Sequence, residues 1–323
     1  MATAEQLKSL IRSHLSMNAE QFYTSALQIA AHEARQGHDT LANEIKEMVD
    51  LARKKPATNN VIAFPQELAG LILTEQPARS LASLVVDSTL KERIERVILE
   101  FRQQHKLKKH GLGHRRKLLL SGEPGTGKTM TAQVLATELK QPLHIIQMDR
   151  LVTKFMGETG AKLRQIFERI RAMPGVYLFD EFDAIGGERD LGNDVGEMRR
   201  VLNAFLQFIE NDTSDNLIIA AANNPRLLDR ALFRRFDDVL HYALPDVESR
   251  KCLMANLLGT FQNPRFPMDK AAQAGKRLSH SEIDRACRDA IKMAILNNQS
   301  RATCASFNAL LKERHAAYQG KEK

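Results

Sequence analysis

The spacing of apolar positions changes along the chain and divides it into three kinds of segment. From Leu7 to about residue 55 the spacing is helical. Leu7, Leu10, Ile11 and Leu15 share one face. A second helix is expected from about Ala19, behind Asn18 as N-cap, to near Gly37. A third is expected from near Asp39, with Leu41, Ile45, Met48, Val49 and Ala52 on one side. Three short helices of this kind can close into a small bundle, so residues 1–55 are read as a helical N-terminal domain. Pro56, Pro65 and Pro77 interrupt the pattern, and residues 56–80 are expected to be irregular, within a linker spanning 56–83. From Leu84 onward short apolar runs alternate with helical stretches. Strands are expected near 117–121, 143–148, 176–180, 216–222 and 238–242. That alternation predicts a parallel sheet covered on both faces, over residues 84–246. After Pro245 the pattern is helical again, with helices expected at Glu248–Leu258, Ser281–Asn297 and Ser306–Tyr318 in a C-terminal helical domain, 247–323.

Composition narrows this picture. Of the 323 residues, 43% are hydrophobic and 27% charged, the balance of a globular chain. No apolar run approaches the roughly 20 residues of a membrane span, so no membrane insertion is expected. Met1 to Lys8 is polar and lacks the apolar core of a signal peptide. Cys252, Cys287 and Cys304 have no metal-ligand spacing and read as reduced thiols, in keeping with a cytoplasmic protein. The net charge is +8, and part of the excess lies between Lys91 and Lys117. A basic stretch can serve an acidic partner such as nucleic acid. It can equally be the solvated face of an amphipathic helix, because Ile94, Val97, Ile98 and Phe101 recur at helical spacing and no aromatic set suited to base stacking interleaves the charges.

The chemistry is concentrated at Gly122-Glu123-Pro124-Gly125-Thr126-Gly127-Lys128-Thr129. This is the P-loop pattern in its proper setting. The apolar run 117–120 precedes it, and the stretch from Met130 to Leu139, free of Gly and Pro, follows as a helix. A strand, a Gly-rich turn and a helix N-terminus aim backbone N–H groups and a partial positive charge at phosphates. Lys128 is placed to reach the β- and γ-phosphates, and the Thr129 hydroxyl to ligate Mg²⁺. A second apolar run, Val176-Tyr177-Leu178-Phe179, ends in Asp180-Glu181. In the same sheet as the P-loop, Asp180 is expected to hold Mg²⁺, and Glu181 to polarise the water that attacks the γ-phosphate. A nucleotide switch without hydrolysis needs no base at that position.

Further motifs fall in register with these two. The chain resembles the AAA ATPases over roughly residues 84–315, in particular the group that holds the proteasomal ATPases, katanin, spastin and the membrane-bound bacterial AAA proteases. The resemblance implies an α/β P-loop NTPase with a parallel sheet and a helical lid. Ala220-Ala221-Ala222-Asn223-Asn224-Pro225 resembles the family's sensor 1 strand end, and the sensor role carries over to Asn224, with Asn223 standing where the family usually has Thr. Leu228 to Asp237 resembles the arginine-finger segment in a shorter form. By that resemblance Arg234 and Arg235 reach into a neighbouring subunit's ATP site. Lys154-Phe155-Met156-Gly157 resembles the first pore loop, which grips an extended polypeptide, and a second pore loop would fall at Gly186–Gly196. The lid helix is expected to begin around Ser279 to Ser281, with Arg285 and Arg288 as candidates for sensor 2. An adenine pocket is expected at Val85, Val86 and Asp87 through backbone contacts.

The resemblance implies a head-to-tail homo-oligomer, a hexameric ring, that uses ATP and Mg²⁺ to remodel, unfold or translocate a polypeptide substrate. The chain carries no His-Glu-x-x-His, so any proteolysis would belong to a separate partner, reached through the N-terminal domain. The basic stretch keeps open a nucleic-acid-associated regulator that assembles on DNA.

Overall fold

The computed structural model describes residues 19–36, 38–54, 70–151, 156–186, 194–224, 230–263 and 266–319. The chain divides into two compact units, 1–64 and 65–323.

In the first unit, helices Ala19–Arg35 and Asp39–Lys54 pack as an antiparallel hairpin. Each buries a narrow stripe, with Ala26, Ile29 and Ala30 on one helix and Ala42 and Val49 on the other. Among the described residues the second helix packs on the first alone, and Leu41 and Met48, expected on the packed side, are exposed. The expected first helix lies outside the described residues.

The second unit is built on a six-stranded sheet. Its strands are β1 (Ile72–Glu75), β2 (Lys117–Gly122), β3 (Leu143–Gln147), β4 (Val176–Asp180), β5 (Leu217–Ala222) and β6 (Asp238–Tyr242), in the order β1-β3-β4-β5-β2-β6. Five strands are parallel, while β1 runs antiparallel to β3 along the edge. This corrects the irregular reading of residues 56–80. Only Ile72 of β1 is buried, so a four-residue edge strand leaves almost no apolar signature.

Strands β2 to β5 are buried runs, as parallel strands covered on both faces must be. Leu118 and Leu120 join Ile94, Val97 and Leu135 in one core. On the other side Phe167 stacks on Phe179 and both meet Phe205 edge-on, with ring centroids 5.1–5.7 Å apart. Fully burying such a side chain stabilises by roughly 1.5–3 kcal/mol, so each strand is held firmly.

Topology then places the chemistry. The chain crosses from β2 over to β3 and works back, so β4, β5 and β2 end as neighbours with their carboxyl ends aligned. Gly122, Asp180 and Asn223 therefore meet at one edge of the sheet, at the switch point where open α/β sheets bind ligands.

The C-terminal helices Val247–Leu258, Met268–Ala274, His280–Leu296 and Cys304–Gln319 have their own core, with Met254, Leu258, Ile283, Phe307 and Leu311 buried together. Arg250 ties this core to the sheet's exit. Its guanidinium is buried and donates to the carbonyls of Pro245 and Ala272. Asp246 caps the first of these helices and Ser279 caps the third, the latter in a reciprocal box with Glu282. Among the described residues no helix is long and apolar enough to cross a membrane. The three cysteines are unpaired thiols.

Candidate functional site

The turn between β2 and helix Lys128–Leu139 is shaped by what it must leave open. Gly122 lies against β6, and a Cβ there would sit on the Tyr242 carbonyl oxygen. Gly125 has φ 77°, and a Cβ would collide with the Ser281 hydroxyl and come within 2.8 Å of the Ser279 hydroxyl. The loop thus fits closely between the sheet and the first turn of the lid helix. The two are joined directly, since the Ser281 amide donates to the Gly125 carbonyl at 3.0 Å. Thr126 is buried and donates to the Glu123 carbonyl at 2.7 Å, and Thr131 ties helix Lys128–Leu139 to the Tyr242 hydroxyl at 2.8 Å.

Lys128 is buried and folded back, with its ammonium donating to the carbonyls of Gly122 (2.7 Å) and Glu123 (2.9 Å). Burial lowers its pKa to about 8, against the opposing pull of Asp180, Asp183 and Glu123. A desolvated ammonium resting on two neutral carbonyls is well placed to exchange them for phosphate oxygens. The Thr129 hydroxyl donates to Asp180 Oδ2 at 3.2 Å, which brings together the two groups expected to hold a metal. Asp180 Oδ1 accepts from the Glu181 amide at 3.0 Å. Glu181 itself is exposed, with φ 54°, a left-handed conformation that costs an L-residue roughly 1–2 kcal/mol. Glu181 lies at the cavity wall directly after the end of β4. Desolvation, then the carboxylates of Asp149, Asp180 and Asp183, raise its pKa above the ordinary value.

These groups line a cavity of about 860 Å³, within the roughly 300–1,000 Å³ usual for small-molecule sites. The wall includes Lys128, Asp180, Glu181 and Asn223, with Leu84 and Val85 from the sheet side and Leu253 and Leu257 from the helical part. The P-loop amides and the Lys128 ammonium suit phosphates, and the leucine and valine side chains suit an apolar face such as that of a base. Thr129 with Asp180 offers the hard oxygen donors that Mg²⁺ takes.

The expected residues distribute as follows. Gly125, Thr126, Gly127, Lys128, Thr129, Met130, Asp180 and Glu181 line the cavity. Asn223 lines it too, its backbone N–H donating to Asp183 Oδ1 at 3.1 Å, while Asn224 is exposed at the strand end. Val85 lines it, Val86 packs on the core, and Asp87 is occupied as N-cap of helix Ser88–Arg102. Of the two sensor 2 candidates, Arg288 lines the cavity, paired with Asp284 at 2.7 Å, and Arg285 does not. Arg234 and Arg235 are exposed and away from the cavity wall, and Arg235 pairs with Glu210. Lys154 and Phe155 lie outside the described residues, as does most of Gly186–Gly196. Met156 and Gly157 open helix Met156–Ala172, and their side chains are likewise outside them.

The lid residues His280, Ser281 and Asp284 were missed. They sit on one face of a helix whose sequence pattern is dominated by its core positions Ile283, Ala286 and Ala290. In the basic stretch, Arg93, Arg102, Lys108, Arg115 and Arg116 form ion pairs with Asp238, Glu138, Asp215, Glu100 and Asp212. Half of the stretch's cations are thereby spent within the fold, which favours the structural reading over a nucleic-acid surface.

Residues 118–244 match the profile of the ATPase family associated with various cellular activities (AAA). The chain is 32% identical to y4kL, an AAA family ATPase of Sinorhizobium fredii, over 97% of this chain and 96% of that protein. It is 34% identical to a putative 26S proteasome regulatory subunit homolog of Methanothermobacter thermautotrophicus, over 62% of this chain and 55% of the other. It is 30% identical to the ATP-dependent zinc metalloprotease FtsH 4 of Sphaerobacter thermophilus, over 78% of this chain and 40% of the other. The chain therefore spans nearly all of the rhizobial protein but about half or less of the other two.

Proposed function

The chain belongs to the AAA family of ATPases, and we propose that it works within that family as an oligomeric motor that remodels a protein substrate. The observation that carries this reading is the separation of Arg234 and Arg235 from the cavity that holds Lys128, Asp180 and Glu181. Exposed and off the wall of their own cavity, Arg234 and Arg235 would serve the ATP site of another copy, and head-to-tail copies close into a ring. A hexamer fits the family.

In this reading Lys128 leaves the carbonyls of Gly122 and Glu123 for phosphate oxygens, and the P-loop amides cradle the chain of phosphates. Thr129 and Asp180 would hold Mg²⁺, which neutralises charge on the β- and γ-phosphates. Glu181 takes a proton from the attacking water, and an Asn at the end of β5 orients the γ-phosphate side of the reaction. We assign that role to Asn224, with Asn223 as its neighbour on the cavity wall. Arg235 and Arg234 reach the next subunit. Lys154, Phe155, Met156 and Gly157 would grip an extended polypeptide, for this chain alone or for a partner such as a protease recruited by the N-terminal helices, in the cytoplasm.

Mass photometry of Glu181→Gln with and without ATP and Mg²⁺ tests assembly. The expected result is an ATP-dependent shift from the 36.4 kDa monomer to a hexamer. A variant that binds ATP and stays monomeric would overturn the ring. Phe155→Ala tests the work done, since substrate unfolding should stop while ATP hydrolysis continues.

A further inference from the structure

We infer that Arg79 is a nucleotide-binding residue whose guanidinium stacks on the base of ATP. The inference rests on ATP binding in this cavity, not on ring assembly.

Arg79 lies in the strap between β1 and helix Ser88–Arg102, and it lines the cavity while remaining exposed to solvent. Its guanidinium therefore has free surface with which to meet a ligand. Among the described residues, six charged side chains line the cavity: Arg79, Lys128, Asp180, Glu181, Asp284 and Arg288. Four of them are engaged within the fold. Lys128 rests on two carbonyls, Asp180 accepts from Thr129, and Asp284 pairs with Arg288. Glu181 serves the attacking water in the reading above. Arg79 alone has neither a partner among the described residues nor a role.

The backbone on either side of Arg79 is tied down. The Thr137 hydroxyl donates to the Pro77 carbonyl at 3.1 Å, and the Leu81 amide donates to Glu138 Oε1 at 3.2 Å. Arg79 sits midway between these two ties. Thr137 and Glu138 lie about 13–15 Å beyond Lys128 along the axis of helix Lys128–Leu139. The strap is thus anchored at the far end of the helix that carries Lys128 at its start. From there the guanidinium comes to the nucleoside before it comes to the β- and γ-phosphates.

Further along, the same strap supplies Leu84 and Val85 to the cavity wall. Their apolar surface suits the face of a base, yet among the described residues no Phe, Tyr or Trp lines the cavity. A guanidinium is planar and weakly hydrated, and it stacks on aromatic faces. Arg79 supplies the flat partner that the wall lacks.

The test is calorimetric binding in a Glu181→Gln background, where ATP persists. The probes are ATP, ADP, ribose 5′-triphosphate, which has no base, and inorganic triphosphate. Arg79→Ala should weaken ATP and ADP binding roughly three- to tenfold and leave the Kd of the two base-free probes unchanged. Arg79→Lys keeps the charge without the plane and should recover only part of the loss. Equal loss on all four probes would make Arg79 a counter-charge for phosphates and overturn the stacking. Loss shared by ribose 5′-triphosphate but not by inorganic triphosphate would move the contact to the sugar and overturn it too, as would full recovery in Arg79→Lys or unchanged ATP and ADP affinity in Arg79→Ala. Should Arg79→Ala fail to fold, Arg79→Gln carries the same comparison. Lys128→Ala separates the two levels. If it binds ATP as before, the site reading fails; if it loses ATP while the Arg79 variants match their parent, only this inference fails.

Discussion

The two walls of the nucleotide cavity are built on different plans. The sheet wall is backbone held by buried strands. Gly122, Asp180 and Asn223 follow from three adjacent strands, and the core beneath them leaves Leu118, Leu119 and Leu120 with no exposed surface. The lid wall is a helix face presenting side chains, with a core of its own. It joins the sheet part through a few polar links, among them the Gly125–Ser281 hydrogen bond and the buried Arg250. The difference separates two tasks. Chemistry that needs fixed geometry sits on the wall built from buried strands, whereas the lid wall lines the cavity with helix side chains.

The strongest way to break this division is at the rigid wall. Glu181→Gln should lower kcat for ATP by at least about 100-fold while ATP binding survives, and Lys128→Ala should lose binding itself. Equal loss of binding in both, measured with a fluorescent ATP analogue, would show that the two roles are not distinct. A milder probe is pH. Burial lowers the Lys128 pKa from its ordinary value to about 8, so above pH 8 it is increasingly neutral. Phosphates favour the charged form, so ATP binding should take up a proton, and the Kd should rise by up to about tenfold per pH unit above 8. Calorimetry in buffers of different ionisation enthalpy reads that proton directly, and no uptake at pH 8.5–9 would remove Lys128 from phosphate binding. Gly125→Ala probes the seam between the walls. The new Cβ meets the Ser279 and Ser281 hydroxyls, so the lid helix must retreat, and ATP affinity should fall roughly tenfold, or about 1.4 kcal/mol. The smallest effect belongs to the lid alone, where Ser279→Ala removes a cap and should cost about 1 kcal/mol in stability, read by denaturant unfolding.

How legible each wall was in the sequence follows the same division. The P-loop and Asp180-Glu181 could be read because their chemistry is written in consecutive residues at a strand's end. The strands β2 to β5 could be read within a residue or two because burial on both faces makes them mainly apolar, and β6 by the alternate positions Leu240 and Tyr242 that it buries. Strand β1 could not, because an edge strand of four residues with Ile72 alone buried carries no pattern. His280 could not be read either. A single histidine at the start of a helix is indistinguishable from a surface residue until the fold brings Val85 and the P-loop to it. Asn223 and Asn224 are a middle case. The strand end was placed correctly, but which of two adjacent amides faces the cavity is decided by the pleat and by Asp183.

The hydrogen bond between Gly125 and Ser281 also has a mechanical meaning. Helix His280–Leu296 is 17 residues long, about 25 Å, and it is pinned near one end to the loop that holds the phosphates. A tilt of about 10° at the pinned end would sweep the far end through about 4 Å over that length. That far end carries Met293, Ile295 and Leu296, all exposed and apolar, Leu296 the most at 80%. A displacement too small to notice at the phosphates would arrive there as a stroke, delivered by an oily tip to whatever lies beside it.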